Sequence, residues 1–216
     1  GTFGDGLFKK EGSTWTQLVQ SNSILPSEYI PSMLFDTIRQ ELWIATYGGL
    51  VRKKEDNWQL YTADNSQLVD DVVTGIQQSG DGAIWVVNGH GVTRIYDGLW
   101  STFTSDQIFG GVQNDLGDIF IDANQQVWIT SGYSLDGVAY LDGGGWHVLP
   151  GFAGKNIQSV GVNGTGTVFL GELFEGMHVV SGGVNYFFPA STTGFPTGQN
   201  FDFTLDANGN TLWMCN

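Results

Sequence analysis

Residues 41–62, ELWIATYGGLVRKKEDNWQLYT, decide how the rest of the chain is read. They hold three short apolar bursts: Leu42-Trp43-Ile44, Gly49-Leu50-Val51 and Trp58-Gln59-Leu60-Tyr61. Small and polar residues separate the bursts, as turns between strands require. Trp43 recurs as Trp85, Trp128, Phe169 and Trp213, at steps of 42, 43, 41 and 44 residues. A self-similar period of this length, with several strands per unit, is the signature of a β-propeller.

A further strand precedes each anchor aromatic: Ser32–Phe35, Thr74–Gln77, Asp118–Ile121, Ser159–Val162 and Asp202–Leu205. An outer strand follows the Gly-Leu strand at Trp15, Trp58, Trp100, Trp146 and Tyr186. The expected fold is therefore all-β: a five-bladed propeller of four-stranded antiparallel blades. The first segment has later strands but no anchor strand, and the last supplies anchor Trp213 and stops. Joined, they put Gly6 nine residues after Trp213, against six to nine inside the chain. The expectation is a ring closed by N- and C-terminal segments sharing one blade, with no open sheet edge. This makes residues 1–216 one domain with units of about 1–28 plus 209–216, 29–69, 70–113, 114–155 and 156–208.

Eight Lys and Arg stand against 22 Asp and Glu, a net charge of −14. That field repels phosphate backbones and anionic lipid, so nucleic acid and membrane are poor partners. No run approaches the roughly 18 apolar residues of a membrane-spanning helix. The single cysteine, Cys215, rules out an internal disulfide and reads as a small hydrophobe on a strand. A monomer is expected. The turns before the anchors carry Asp, Asn or Gly (DTIRQE, SGDGA, DANQQ, NGTGT, DANGN). They lack the regular ligand spacing and closing Glu of a calcium loop, so they read as Asx-turns, with no metal or cofactor assigned.

The pattern Leu-Trp-Ile, then Gly49-Leu50-Val51-Arg52, then Trp58 to Thr62, then Asn65-Ser66-Gln67-Leu68 resembles the two-component regulator propeller repeat. Gly91-Val92-Thr93-Arg94 and Gly6-Leu7-Phe8-Lys9 match in part, and the last two units are degenerate. The resemblance implies a propeller of the kind found in periplasmic sensing regions of hybrid histidine kinases, which often detect glycans, and in secreted or cell-surface proteins. A periplasmic or extracellular location follows from it as an expectation.

Propeller ligands usually sit at one end of the channel, on the loops after the anchor strands and on the connectors between blades. The first set contributes Phe3, Asp5, Tyr47, His90, Tyr133, Asp136, Glu172, Phe174 and Glu175. Flat aromatics beside carboxylates suit sugar rings, whose apolar faces stack and whose hydroxyls donate. The connectors add Asp64, Asn65, Asp70, Asp71, Asn114 and Asp115, so a neutral or cationic sugar fits better than a polyanionic one. A second set, Ser32, Thr74, Asp118, Ser159 and Asp202, begins the inner strands and would make a polar channel wall wetted by water, with a cation held by Asp118 and Asp202 as the sharper option.

The primary reading is a non-catalytic binding or sensing module, with oligosaccharide or another protein as partner. No nucleophile elbow, zinc spacing, P-loop or dinucleotide fingerprint occurs, so no catalytic residue is assigned. His147 and His178 fall on strands and read as packing or surface residues. The alternatives are a glycosidase or lyase using Asp5, Asp136, Glu172 or Glu175, and a structural or protein-docking propeller.

Overall fold

Three strand-turn-strand steps built from the quoted stretch and the strand before it make one blade. In the computed structural model, which describes residues 1–111, 114–193, 202–205 and 212–215 (only the backbone of 193 and of the last two stretches), this blade I comprises β3 (Ser32–Asp36), β4 (Glu41–Thr46), β5 (Gly49–Lys54) and β6 (Asn57–Tyr61). The chain divides into two compact units, Gly1–Thr104 and Ser105–Asn216. Unit 1 opens with the hairpin β1 (Leu7–Glu11) and β2 (Thr14–Leu18). After blade I it ends with blade II: β7 (Val73–Gln78), β8 (Ile84–Asn88), β9 (Gly91–Tyr96) and β10 (Leu99–Thr104).

Unit 2 begins with the short helix α1 (Ser105–Phe109). Blade III follows, with β11 (Ile119–Ile121), β12 (Val127–Thr130), β13 (Val138–Asp142) and β14 (Gly145–Val148). Blade IV has β15 (Ile157–Val162), β16 (Val168–Glu172), β17 (Gly176–Ser181) and β18 (Val184–Pro189). Then come α2 (Ala190–Thr193) and the hairpin β19 (Asp202–Leu205) and β20 (Leu212–Cys215). Each blade is a four-stranded antiparallel sheet in sequential order. The fold is an all-β propeller. Four blades are complete, and each end of the chain adds a two-stranded hairpin, β1-β2 and β19-β20.

Strand periodicity explains how the middle of unit 1 is buried on both faces. Trp43, Ala45 and Leu50 pack with Val73, Ile76, Ile84 and Val86 of blade II. Ile44 and Val51, one residue out of phase, pack with Leu7, Leu25 and Ile30 on the other side. In unit 2, Trp128 and Val138 pack on Ile157, Val160, Val168 and Leu170.

Trp43, Trp85 and Trp128 are buried anchors, as the repeat requires. Phe169 departs from the pattern: it is only half-buried, while His178, paired with Leu170 on the other face of blade IV, is buried against Phe152 and Phe187. The side chains of Trp213 and Cys215, and the turn at 206–210, lie outside the described residues.

Two sequence signals have local physical causes. Asx-turns form where expected: Asp36 accepts from the N–H of Ile38 at 2.9 Å, Asp122 from Asn124 at 2.8 Å and Asn163 from Thr165 at 3.1 Å. The Asn-Ser-x-Leu motif is a clip after the outer strand. Asn65 Oδ1 accepts from Thr62 N–H at 2.9 Å, Ser66 Oγ donates to Thr62 O at 2.6 Å, and Leu68 drops into the core. Asn22, Ser23 and Leu25 repeat it on Val19 with lengths of 2.8 and 2.7 Å.

Candidate functional site

The loops after the anchor strands are shaped by two residue types. The glycine opening each Gly-Leu strand lets the outer strand approach. A Cβ on Gly49 would lie 2.6 Å from Tyr61 O, one on Gly91 2.9 Å from Phe103 O, and one on Gly137 2.8 Å from Phe152 O. Three positions after the anchors of blades I to IV stands a buried polar residue: Thr46, Asn88, Ser131 and Glu172. Thr46 Oγ1 donates to Gly49 O at 2.7 Å, and Ser131 Oγ accepts from Gly137 N–H at 2.8 Å, so both tie the loop to the sheet. Asn88 is fully buried with both amide atoms unpaired among the described residues.

In unit 1 the loops gather an exposed aromatic cluster. Tyr29 and Tyr47 stack with centroids 5.6 Å apart at 13°, and Phe3 stands edge-on to both, at 5.1 and 5.6 Å. Backbone contacts fix it: Phe3 bridges Tyr29, and Tyr47 N–H donates to Tyr29 O at 3.2 Å. All three rings remain open to solvent, at 68% for Phe3, 43% for Tyr29 and 39% for Tyr47. Asp5 is exposed nearby in sequence, its N–H bonded to Thr2 Oγ1. Tyr29 escaped the sequence analysis because it sits in a connector, and from the connectors only polar residues were taken. Its one signal is an aromatic beside Ile30 in the short connector segment SEYIPS. His90, on the equivalent loop of blade II, lies with Nδ1 3.0 Å from Asp70 Oδ2, both half-exposed.

In unit 2, Tyr133 is exposed on the 3-10 turn Gly132–Ser134, and Phe174 is exposed at a φ of 63°. Asp136 is half-buried and accepts from Asn114 Nδ2 at 2.9 Å. Glu175 is exposed. Glu172 lies on a strand and not on the loop. It ends β16 with its carboxylate buried, receiving Lys155 Nζ at 2.9 Å and facing His178 Nε2 at 2.8 Å. Asn185 Oδ1 lies 3.2 Å from the other ring nitrogen. Burial alone would raise the Glu172 pKa, but His178 and Lys155 outweigh it and hold the carboxyl below its ordinary value. His178 is thus a packing residue with a defined polar partner, and His147 pairs with Asp142 at 3.0 Å on the surface.

The inner-strand set is mixed. Ser32 and Thr74 are half-buried, and Thr74 falls at a register shift between Val73 and Gly75. Asp118 precedes β11 instead of opening it, because its carboxylate accepts from the N–H groups of Ile119 at 2.8 Å and Val160 at 3.3 Å. Ser159 is buried with its hydroxyl unpaired among the described residues. The side chain of Asp202 lies outside them. No three His, Cys, Asp or Glu among the described residues are grouped to hold a metal ion.

No family model matches the chain, and no curated protein does. Solved structures do. The extracellular domain of BT3049 from B. thetaiotaomicron, described as a hybrid two component system, superposes with a TM-score of 0.74 at 20% identity over 99% of this chain and 30% of its own. The extracellular domain of BT4673 from the same organism gives 0.76 at 15% identity over 98% and 29%. Virginiamycin B lyase from Staphylococcus aureus gives 0.67 at 17% identity over 93% and 67%. The likeness is one of fold. The chain spans about three tenths of the length of these two extracellular domains. Among the described residues no helix is long and apolar enough to cross a membrane.

Proposed function

We propose that this propeller is a non-catalytic binding or sensing module that recognises a neutral oligosaccharide, in the periplasm or outside the cell. The observation that carries it is the exposed stack of Tyr29 and Tyr47 with Phe3 edge-on. Rings held open to water by backbone hydrogen bonds give a flat, preorganised platform for the C–H face of a sugar. Asp5, exposed two residues after Phe3, offers an acceptor to its hydroxyls, and the net charge of −14 disfavours polyanionic glycans. The protein acts as a monomer on this reading, with no nucleic-acid partner and no cofactor. Binding of neutral oligosaccharides on a glycan array, lost in the Tyr29→Ala/Tyr47→Ala variant, tests it. An unchanged binding profile in that variant overturns it.

A second reading is favoured by one feature, the His90–Asp70 pair. A histidine oriented by a carboxylate on a loop is the arrangement of a general base, and one solved structure of similar fold is a lyase. Chemical analysis of any bound glycan after incubation separates the two: intact ligand supports a binding module, and cleaved ligand an enzyme.

A further inference from the structure

Blade I differs from blades II and III in one turn, and with that difference goes a buried donor that has no partner among the described residues. Trp85 Nε1 donates to Ser79 Oγ at 3.1 Å, and Trp128 Nε1 to Asp122 Oδ2 at 3.0 Å. In both, the acceptor stands six residues before the anchor, heading the turn between the two inner strands. The corresponding turn of blade I is one residue longer, with Asp36 seven before Trp43. The longer turn carries Arg39, whose Nη1 binds Asp36 Oδ2 at 2.8 Å and Gly82 O at 2.7 Å. The acceptor is thereby occupied, and Trp43 Nε1 is buried with no partner among the described residues. A buried donor left unpaired carries a desolvation penalty that a suitable acceptor would relieve.

Trp43 lines a cleft of about 400 Å³ in unit 1, walled by Tyr61 and Trp100 and edged by Arg39, Arg52 and Lys54. Tyr61 lies parallel to Trp43 at 6.1 Å and 17°, and Trp100 tilts against Tyr61 at 5.0 Å. Three of the chain's eight basic residues edge this one cleft. Its buried acceptor, Glu41, is saturated: Arg52 Nε at 2.9 Å, Arg52 Nη2 and Lys54 Nζ at 3.1 Å all donate to it. Asp97, the other carboxylate, is exposed at the rim, where solvent screens it. Lys54 still holds protons beyond the one given to Glu41. The cleft is rich in donors and poor in free acceptors, with aromatic walls.

We infer that this cleft is a second ligand site, separate from the exposed aromatic cluster, and that it takes a flat ring bearing a carboxylate. The ring stacks among Trp43, Tyr61 and Trp100, and the carboxylate accepts from the Trp43 indole and from Lys54. Benzoate is the probe, with uncharged benzamide as the isostere. In 15N-labelled protein at constant ionic strength, the Trp43 indole resonance, assigned by its loss in Trp43→Phe, moves with benzoate and stays in place with benzamide. Lys54→Gln, on an exposed stem, keeps the fold and weakens benzoate about five-fold, or about 1 kcal/mol. An indole resonance unmoved by benzoate, equal shifts with benzamide, or unchanged affinity in Lys54→Gln each overturns the assignment. The Tyr29→Ala/Tyr47→Ala variant retains benzoate binding if the two sites are separate, and its loss there overturns their independence.

Discussion

His178 Nε2 lies 2.8 Å from Glu172 Oε2, with both side chains withdrawn from solvent. Lys155 completes the set, and its ammonium also stands 5.8 Å over the Phe187 ring that stacks on His178. Because the Glu172 pKa is lowered in the folded state, its contribution to stability is present above the unfolded value of about 4.3 and disappears as pH falls through the lower folded one. The melting temperature of the parent should fall more steeply than that of Glu172→Gln below about pH 4.3, and the variant should already melt lower at neutral pH. Parallel melting curves across that range would remove Glu172 from the acid response.

The anchors should not be equivalent. Trp85→Ala empties a buried site and loses the Ser79 bond, at a cost of about 3–5 kcal/mol. Phe169→Ala should cost clearly less, since Phe169 is only half-buried. Guanidinium unfolding of the two variants gives the ordering directly.

Gly49 sits at a φ of 138°, and its missing Cβ is what admits Tyr61 O. Gly49→Ala should destabilise by about 1–3 kcal/mol through backbone strain and collision with the outer strand. Gly164→Ala, in a surface turn with open space around the Cβ position and no positive φ, should be near neutral. Equal urea midpoints for the two would refute a steric role for the motif glycine.

For the aromatic cluster, Tyr29→Ala should weaken glycan binding as much as Tyr47→Ala, though only Tyr47 belongs to an anchor loop. Each exposed ring should cost the fold no more than about 1 kcal/mol. Calorimetric titration together with a thermal melt distinguishes lost contact from lost structure.

The period of the anchors, the strand order inside each blade and the Asx-turns were legible in the sequence, and Asn-Ser-x-Leu was legible as a motif, though not as the clip it forms. Each is set by residues close together along the chain: alternation sets the buried face, and a turn residue bonds to backbone two or three positions away. Long-range partnership was not legible. Glu172 reads as one more loop carboxylate until the sheet register and the Lys155 segment bring an ammonium and an imidazole to it. Tyr29 joins the aromatic cluster because a backbone bridge places it against Phe3, 26 residues earlier. Whether Asp36 serves Trp43 or Arg39 depends on a carbonyl from the next blade, Gly82 O, which holds the guanidinium in place. The sequence by itself determined the strands, because their causes are local. The tertiary structure decided which polar and aromatic groups are occupied, because that choice is made between segments that meet only after the blades pack.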